Sequence, residues 1–172
     1  TGKVALVRVD LNLPMQDGAV TDSTRVRAAA PTILELADKG AKVLLLAHFG
    51  RPKGERVSTQ SLSMVVGAVQ DVLGREVMFV PEVAGDVVSQ AVGILRPGDI
   101  AILENTRFWK GEEANDPDLA KAIAAHVKGG AEVHDILTRT APAPSACDRH
   151  RTKGPAVSVA EHNITRKDGK PI

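Results

Sequence analysis

Tyrosine is missing from this 172-residue chain, tryptophan and cysteine occur once each, and phenylalanine three times. So few rings leave almost no platform on which unpaired bases could stack, which argues against a single-strand nucleic-acid binder. The lone Cys147 cannot close an intramolecular disulfide. Together with the lack of a signal-like apolar segment, this predicts a reducing, cytoplasmic setting. No apolar run is long enough to cross a bilayer, so no membrane partner is expected. An excess of either charge is lacking too: 22 basic and 21 acidic residues leave a net charge of +1. No global field draws the chain to nucleic acid or anionic lipid, and any anion site must be local. There is no G-x-x-x-x-G-K-[ST] loop, no G-x-G-x-x-G turn after a strand, no G-x-S-x-G elbow, and no His/Cys cluster at metal-ligand spacing. The residues therefore offer neither a nucleotide-phosphate cradle nor a metal site. Thr1 stands where an initiator Met would, so a start further upstream is expected.

What the chain has is aliphatic bulk. With 43% hydrophobic residues it can bury the core of one domain. Residues 3–9, 42–47, 76–80 and 99–103 read as strands, the second most clearly because V-L-L-L-A shows no polar alternation. A turn is expected at Asp17-Gly18. Helical patterns run from Asp22 or Ser23 to Lys39, stopped by Gly40, and over 58–73, closed by Gly74. Two more cover 86–95, ended by Pro97-Gly98, and 117–126, with Asp116 as cap and Pro117 at the first position. Pro31 lies inside the first pattern, so that helix either kinks there or begins afresh. Residues 131–137 are a candidate fifth strand, while T-A-P-A-P-S at 140–145 breaks regular structure and 148–172 is polar and aperiodic. The alternation predicts an α/β fold, a doubly wound, mostly parallel sheet flanked by helices (Rossmann-like) and incomplete at its C-terminal end. The expected domain spans 1–137, followed by an irregular tail over 138–172.

Three runs carry the chemistry: V-R-V-D-L-N-L-P at 7–14, A-H-F-G-R-P-K-G at 47–54 and L-E-N-T-R-F at 103–108. Each sits where a strand gives way to a loop, the rim at which open α/β sheets bind ligands. Arg51 and Arg107 bring guanidinium forks suited to carboxylate or phosphate. Gly50, Pro52 and Gly54 allow the second loop to be shaped closely around a ligand. Asp10 and Asn12 alternate with Val9 and Leu11, share a face, and could together accept from and donate to a hydroxyl. Taken alone, a loop arginine is usually solvated, His48 is usually structural, and Asp10 and Asn12 would serve a turn or cap. An ion pair with Glu104 is the structural alternative for Arg107. Of Arg25 and Arg27, two apart on a helix, at most one should face the pocket. The combination points to one site for a small, doubly anionic molecule. Without an evident nucleophile, it suits electrostatic catalysis of phosphoryl transfer.

In order and spacing, these runs and T-D-S-T-R-V-R-A at 21–28 closely resemble the amino-terminal domain of phosphoglycerate kinase from Lys3 to about Ala125. The resemblance implies a glycolytic enzyme moving a phosphoryl group reversibly from 1,3-bisphosphoglycerate to ADP. The products are 3-phosphoglycerate and ATP, magnesium accompanies the nucleotide, and the family is usually monomeric. It assigns substrate contacts to Asp10, Leu11, Asn12, His48, Phe49, Gly50, Arg51 and Arg107. Arg25 would bridge the carboxylate and the transferring phosphoryl group, as the catalytic residue. The family's Val-Asn-Asp strand end corresponds to Val133-His134-Asp135 here, and its next substrate arginine has no match, since Arg139-Thr140-Ala141-Pro142 differs from Ala-His-Arg-Ala-His. The family's MgATP-binding domain has no counterpart in this sequence. Alternatives are a truncated or frameshifted, inactive product, a non-catalytic half needing a separate nucleotide-binding partner, or an unrelated sugar-phosphate enzyme.

Overall fold

The computed structural model describes residues 2–127 and 133–135. Five strands pair in parallel: β1 (Val4–Arg8), β4 (Lys42–Leu46), β5 (Val77–Val80), β6 (Ile100–Leu103) and β7 (Val133–Asp135). Their order across the sheet is β5-β6-β4-β1-β7, so β1, β4 and β6 lie side by side in its interior. A two-residue hairpin, β2 (Met15–Gln16) and β3 (Ala19–Val20), turns through Asp17 and Gly18, both at positive φ (52° and 79°). Two positive φ values in a two-residue loop match the twist of the flanking strands.

Strands β1, β4 and β6 are largely buried on both faces, which is why their sequences are almost continuously apolar. Ala5, Val7, Val43, Leu45, Val77, Ile100 and Ile102 face one core cluster, where α1 (Thr24–Asp38) and α2 (Val66–Leu73) pack. The alternate residues Leu6, Leu44, Val80, Ala101 and Leu103 face a second cluster with Val88 and Ala91 of α3 (Asp86–Ile94). Leu119 and Ile123 of α5 (Pro117–Ala124) pack at its edge. This strict alternation follows from the two-residue period of the strand. Helices on both faces of a parallel sheet make the doubly wound architecture.

Helix boundaries follow local chemistry closely. Asp22 Oδ1 accepts from the Thr24 amide at 2.8 Å and the Thr24 hydroxyl at 2.6 Å, so Asp22 rather than the Ser23 side chain caps α1. Those two hydrogen bonds hold its carboxyl below the usual range. Of the two possibilities at Pro31, the fresh start does not occur: α1 is one helix with Pro31 inside it. Gly74 ends α2 at φ 62°, and Asp116 accepts from the Asp118 amide ahead of Pro117. After β6 a short helix, α4 (Lys110–Glu113), precedes α5.

One expectation needs correction. Residues 58–73 are not a single helix: two 3₁₀ turns, Ser58–Gln60 and Leu62–Val65, precede α2. The apolar spacing is right, but Ser61 caps the Ser63 amide, and the carboxylate of Glu104 takes the Leu62 amide and Ser61 hydroxyl. Tertiary hydrogen bonds thus divide a segment whose periodicity alone reads as continuous. Strand β7 falls within the predicted 131–137 and pairs with β1 in the register Leu6 to Val133 through Arg8 to Asp135. The expected irregular tail over 138–172 lies outside the described residues.

Candidate functional site

Strands β1, β4 and β6 end together, and the three polar runs continue from their carboxyl ends. Past β1 the alternation persists: Val9, Leu11 and Leu13 are buried, Asp10 is half-buried and Asn12 exposed. Asp10 Oδ1 accepts from the Asn12 amide at 3.0 Å, leaving Oδ2 to meet Arg25 Nη1 at 2.7 Å. Arg25 reaches over from α1, while Arg27 turns away to Ser23, Thr24 and Asp22. The helical geometry that allows only one of the two to face the rim therefore selects Arg25.

The loop after β4 is held from both sides at Gly50. Asn12 Oδ1 accepts from the Gly50 amide at 3.0 Å, and Arg107 Nη1 donates to the Gly50 carbonyl at 3.0 Å. Gly50 has φ 63°, a torsion that favours glycine, and a Cβ there would meet the flexible end of the Gln60 side chain at 2.8 Å. Contacts therefore run unbroken from Arg25 through Asp10, Asn12 and Gly50 to Arg107. Leu11 is fully buried and Phe49 nearly so, which directs their side chains into the core and leaves only their backbone at the rim. Arg51 is exposed and, among the described residues, has no hydrogen-bond or ion-pair partner.

Electrostatics at the rim are mixed. Arg107 Nε lies 3.4 Å from Glu112 Oε2 and 4.0 Å from Glu113, and Arg8 lies 3.8 Å from Glu112. The Nε to Glu112 contact is an ion pair by distance only, because that N–H is buried without an aligned acceptor. His48 is half-buried, and burial, then the Arg107 cation, pulls its pKa below the ordinary histidine value. Both effects favour the neutral imidazole.

The run after β6 departs from expectation. Glu104 is buried and pairs with no arginine among the described residues; Arg107 finds Glu112 instead. The Glu104 carboxylate accepts from Leu62 N at 2.9 Å, Ser61 Oγ at 2.8 Å and Asn105 N at 2.7 Å. Neutral donors offset its burial without a second buried charge. Asn105 is completely buried, taking the Phe49 and Arg107 amides on Oδ1 and donating from Nδ2 to the Phe49 and Gln60 carbonyls. The roles of Glu104, Asn105 and Glu112 were not visible in the sequence. Only the placement of an acid and an amide directly after a buried strand hinted that they turn inward.

A family model described as phosphoglycerate kinase matches residues 1–133. The chain belongs to the phosphoglycerate kinase family. It is similar to the phosphoglycerate kinase of Sphingopyxis alaskensis, 55% identical over 160 residues, covering 93% of this chain and 37% of the relative. The phosphoglycerate kinase of Rhizorhabdus wittichii is 64% identical over 123 residues, covering 72% of this chain and 31% of that one. Among solved structures, phosphoglycerate kinase from Pyrococcus horikoshii matches with TM-score 0.66 and 29% identity over 78% of this chain and 34% of that one. The Coxiella burnetii phosphoglycerate kinase matches with TM-score 0.64 and 31% identity over 77% and 32%. The chain thus spans about a third of the length of the phosphoglycerate kinases it matches.

Proposed function

We propose that this chain carries the 3-phosphoglycerate-binding half of a phosphoglycerate kinase, which transfers a phosphoryl group reversibly between 1,3-bisphosphoglycerate and ADP. Residues 1–137 make that domain, acting in the cytoplasm as part of a monomer. Asp10 and Asn12 meet the substrate hydroxyl. Arg25 bridges the carboxylate and the transferring phosphoryl group, and His48, Arg51 and Arg107 hold the remaining anionic oxygens. Leu11, Phe49 and Gly50 shape the backbone beneath. Guanidinium groups in a partly desolvated rim can neutralise charge that builds on a transferring phosphoryl group, the main task in such a reaction. In such a kinase the magnesium nucleotide is held elsewhere than on this half. No helix among the described residues is long and apolar enough to cross a membrane.

The observation that carries this reading is the clasp on Gly50, which ties the loops after β1, β4 and β6 into one rim beside the exposed Arg51. Calorimetric titration with 3-phosphoglycerate tests it. Heat from one weak, millimolar-range site is expected, with no ATP formed in a coupled assay. A folded chain that gives no heat at saturating ligand would contradict the assignment.

A further inference from the structure

Asn105 and Glu104 touch no exposed part of the rim, yet they join more of it than any residue assigned to the substrate. Asn105 uses its whole amide: two acceptances at Oδ1 (Phe49 N at 3.1 Å, Arg107 N at 3.1 Å) and two donations from Nδ2 (Phe49 O at 2.6 Å, Gln60 O at 2.8 Å). Phe49 is therefore held at both its amide and its carbonyl, on the residue directly before Gly50. The Arg107 amide is fixed by the same oxygen, on the residue whose guanidinium grips the Gly50 carbonyl. Glu104 anchors Asn105 from behind through its backbone amide and ties it to Leu62 and Ser61. Thr106 adds two bonds, from its amide and hydroxyl, to the Ala47 carbonyl at the end of β4.

From this geometry we infer that Asn105, backed by Glu104, is a positioning residue for the anion site: it sets the conformation of residues 48–51 and so the placement of Arg51 and Arg107. The inference rests on the proposed 3-phosphoglycerate reading and deepens it. Side-chain amides with all four capacities used inside a protein hold one arrangement firmly, because each missing bond leaves a buried group unpaired. Among the described residues Arg51 has no side-chain tether, and its backbone hangs from Phe49 and Gly50. Pre-organisation of this kind governs affinity by sparing the ligand the cost of ordering the loop.

The test uses the full chain. Asn105→Ala should weaken 3-phosphoglycerate at least tenfold by calorimetry and speed tryptic cleavage after Lys53, in the same loop. Ile33→Val, on the buried face of α1 and without a hydrogen bond to the loop, serves as a destabilised control; it should bind as the unaltered chain does. If Asn105→Ala binds within twofold of the unaltered chain, or if Ile33→Val loses as much affinity at similar stability, the positioning role is wrong. Should Asn105→Ala fail to fold, hydrogen exchange on the unaltered chain decides. The Phe49 and Arg107 amides should be among its slowest, and rapid exchange at either overturns the inference. If the unaltered chain itself fails to bind, the substrate reading falls, whereas cleavage and exchange still report on the brace.

Discussion

The rim after β6 and the rim after β1 carry equally polar runs but are built in opposite ways. Past β6, Glu104 and Asn105 are buried and every side-chain polar atom of the pair is engaged by the backbone or by Ser61. Past β1, Asp10 and Asn12 are partly or fully exposed, and their ties are the Asn12 acceptance from the Gly50 amide and an ion pair open to solvent, with Arg25 half exposed. Buried hydrogen bonds are costly to lose, whereas exposed ion pairs contribute little to stability. The two rims therefore divide the work. One holds the loops in shape, and under the proposed reading the other keeps charge available to exchange a protein partner for a ligand.

Breaking the buried side should give the largest effect. Glu104→Ala strips the buried Leu62 and Asn105 amides of their acceptor and should cost about 3 kcal/mol in urea unfolding. A loss under about 0.5 kcal/mol would erase the distinction between the rims. On the exposed side the effects should separate: Arg25→Ala should leave stability within about 0.5 kcal/mol while weakening 3-phosphoglycerate by about tenfold or more. Equal losses in both quantities would make Arg25 a structural residue.

Gly50 lies between the rims, and Gly50→Ala should cost about 1 kcal/mol, because φ 63° suits glycine. The Gln60 side chain is the first atom group an added methyl would meet, and its flexible end can yield, so the torsional part should dominate. A neutral result in thermal melts would show that the loop shifts its backbone freely. The smallest effect is expected from pH. Burial lowers the pKa of His48 and of His126, whose Nε2 accepts from the Gly85 amide at 3.1 Å. With folded pKa values below the unfolded one, stability is complete above the unfolded histidine value. It declines as acid protonates the unfolded chain first. His48→Gln should flatten that decline between neutral pH and pH 5, followed by urea midpoints.

Much of this was readable from residue order. The run V-L-L-L at 43–46 lacks alternation and is a strand enclosed on both sides; Asp116 with Pro117 opens α5, and Gly74 closes α2. The small hairpin around Asp17 and Gly18 was legible only as a turn, since two-residue strands are too short for a periodic signal. At 58–73 the apolar spacing reads as one helix, yet hydrogen bonds from Glu104, over forty positions away, shape its first half. At the site, the three runs and Arg25 were visible as candidates. The partner of Arg107 was not, because Glu104 is the nearer acid in sequence and only the packing gives Arg107 to Glu112 instead.

Residue order alone determined the strand and helix alternation, the turn positions and the membership in the phosphoglycerate kinase family, because periodicity, caps and motif spacing are local properties. Tertiary structure alone decided which polar groups at the strand ends face inward and which stay open. Burial and hydrogen-bond completion depend on neighbours brought from elsewhere in the chain. An exposed arginine and a buried amide can look alike in a sequence, and they differ once desolvation is set against the bonds available to offset it.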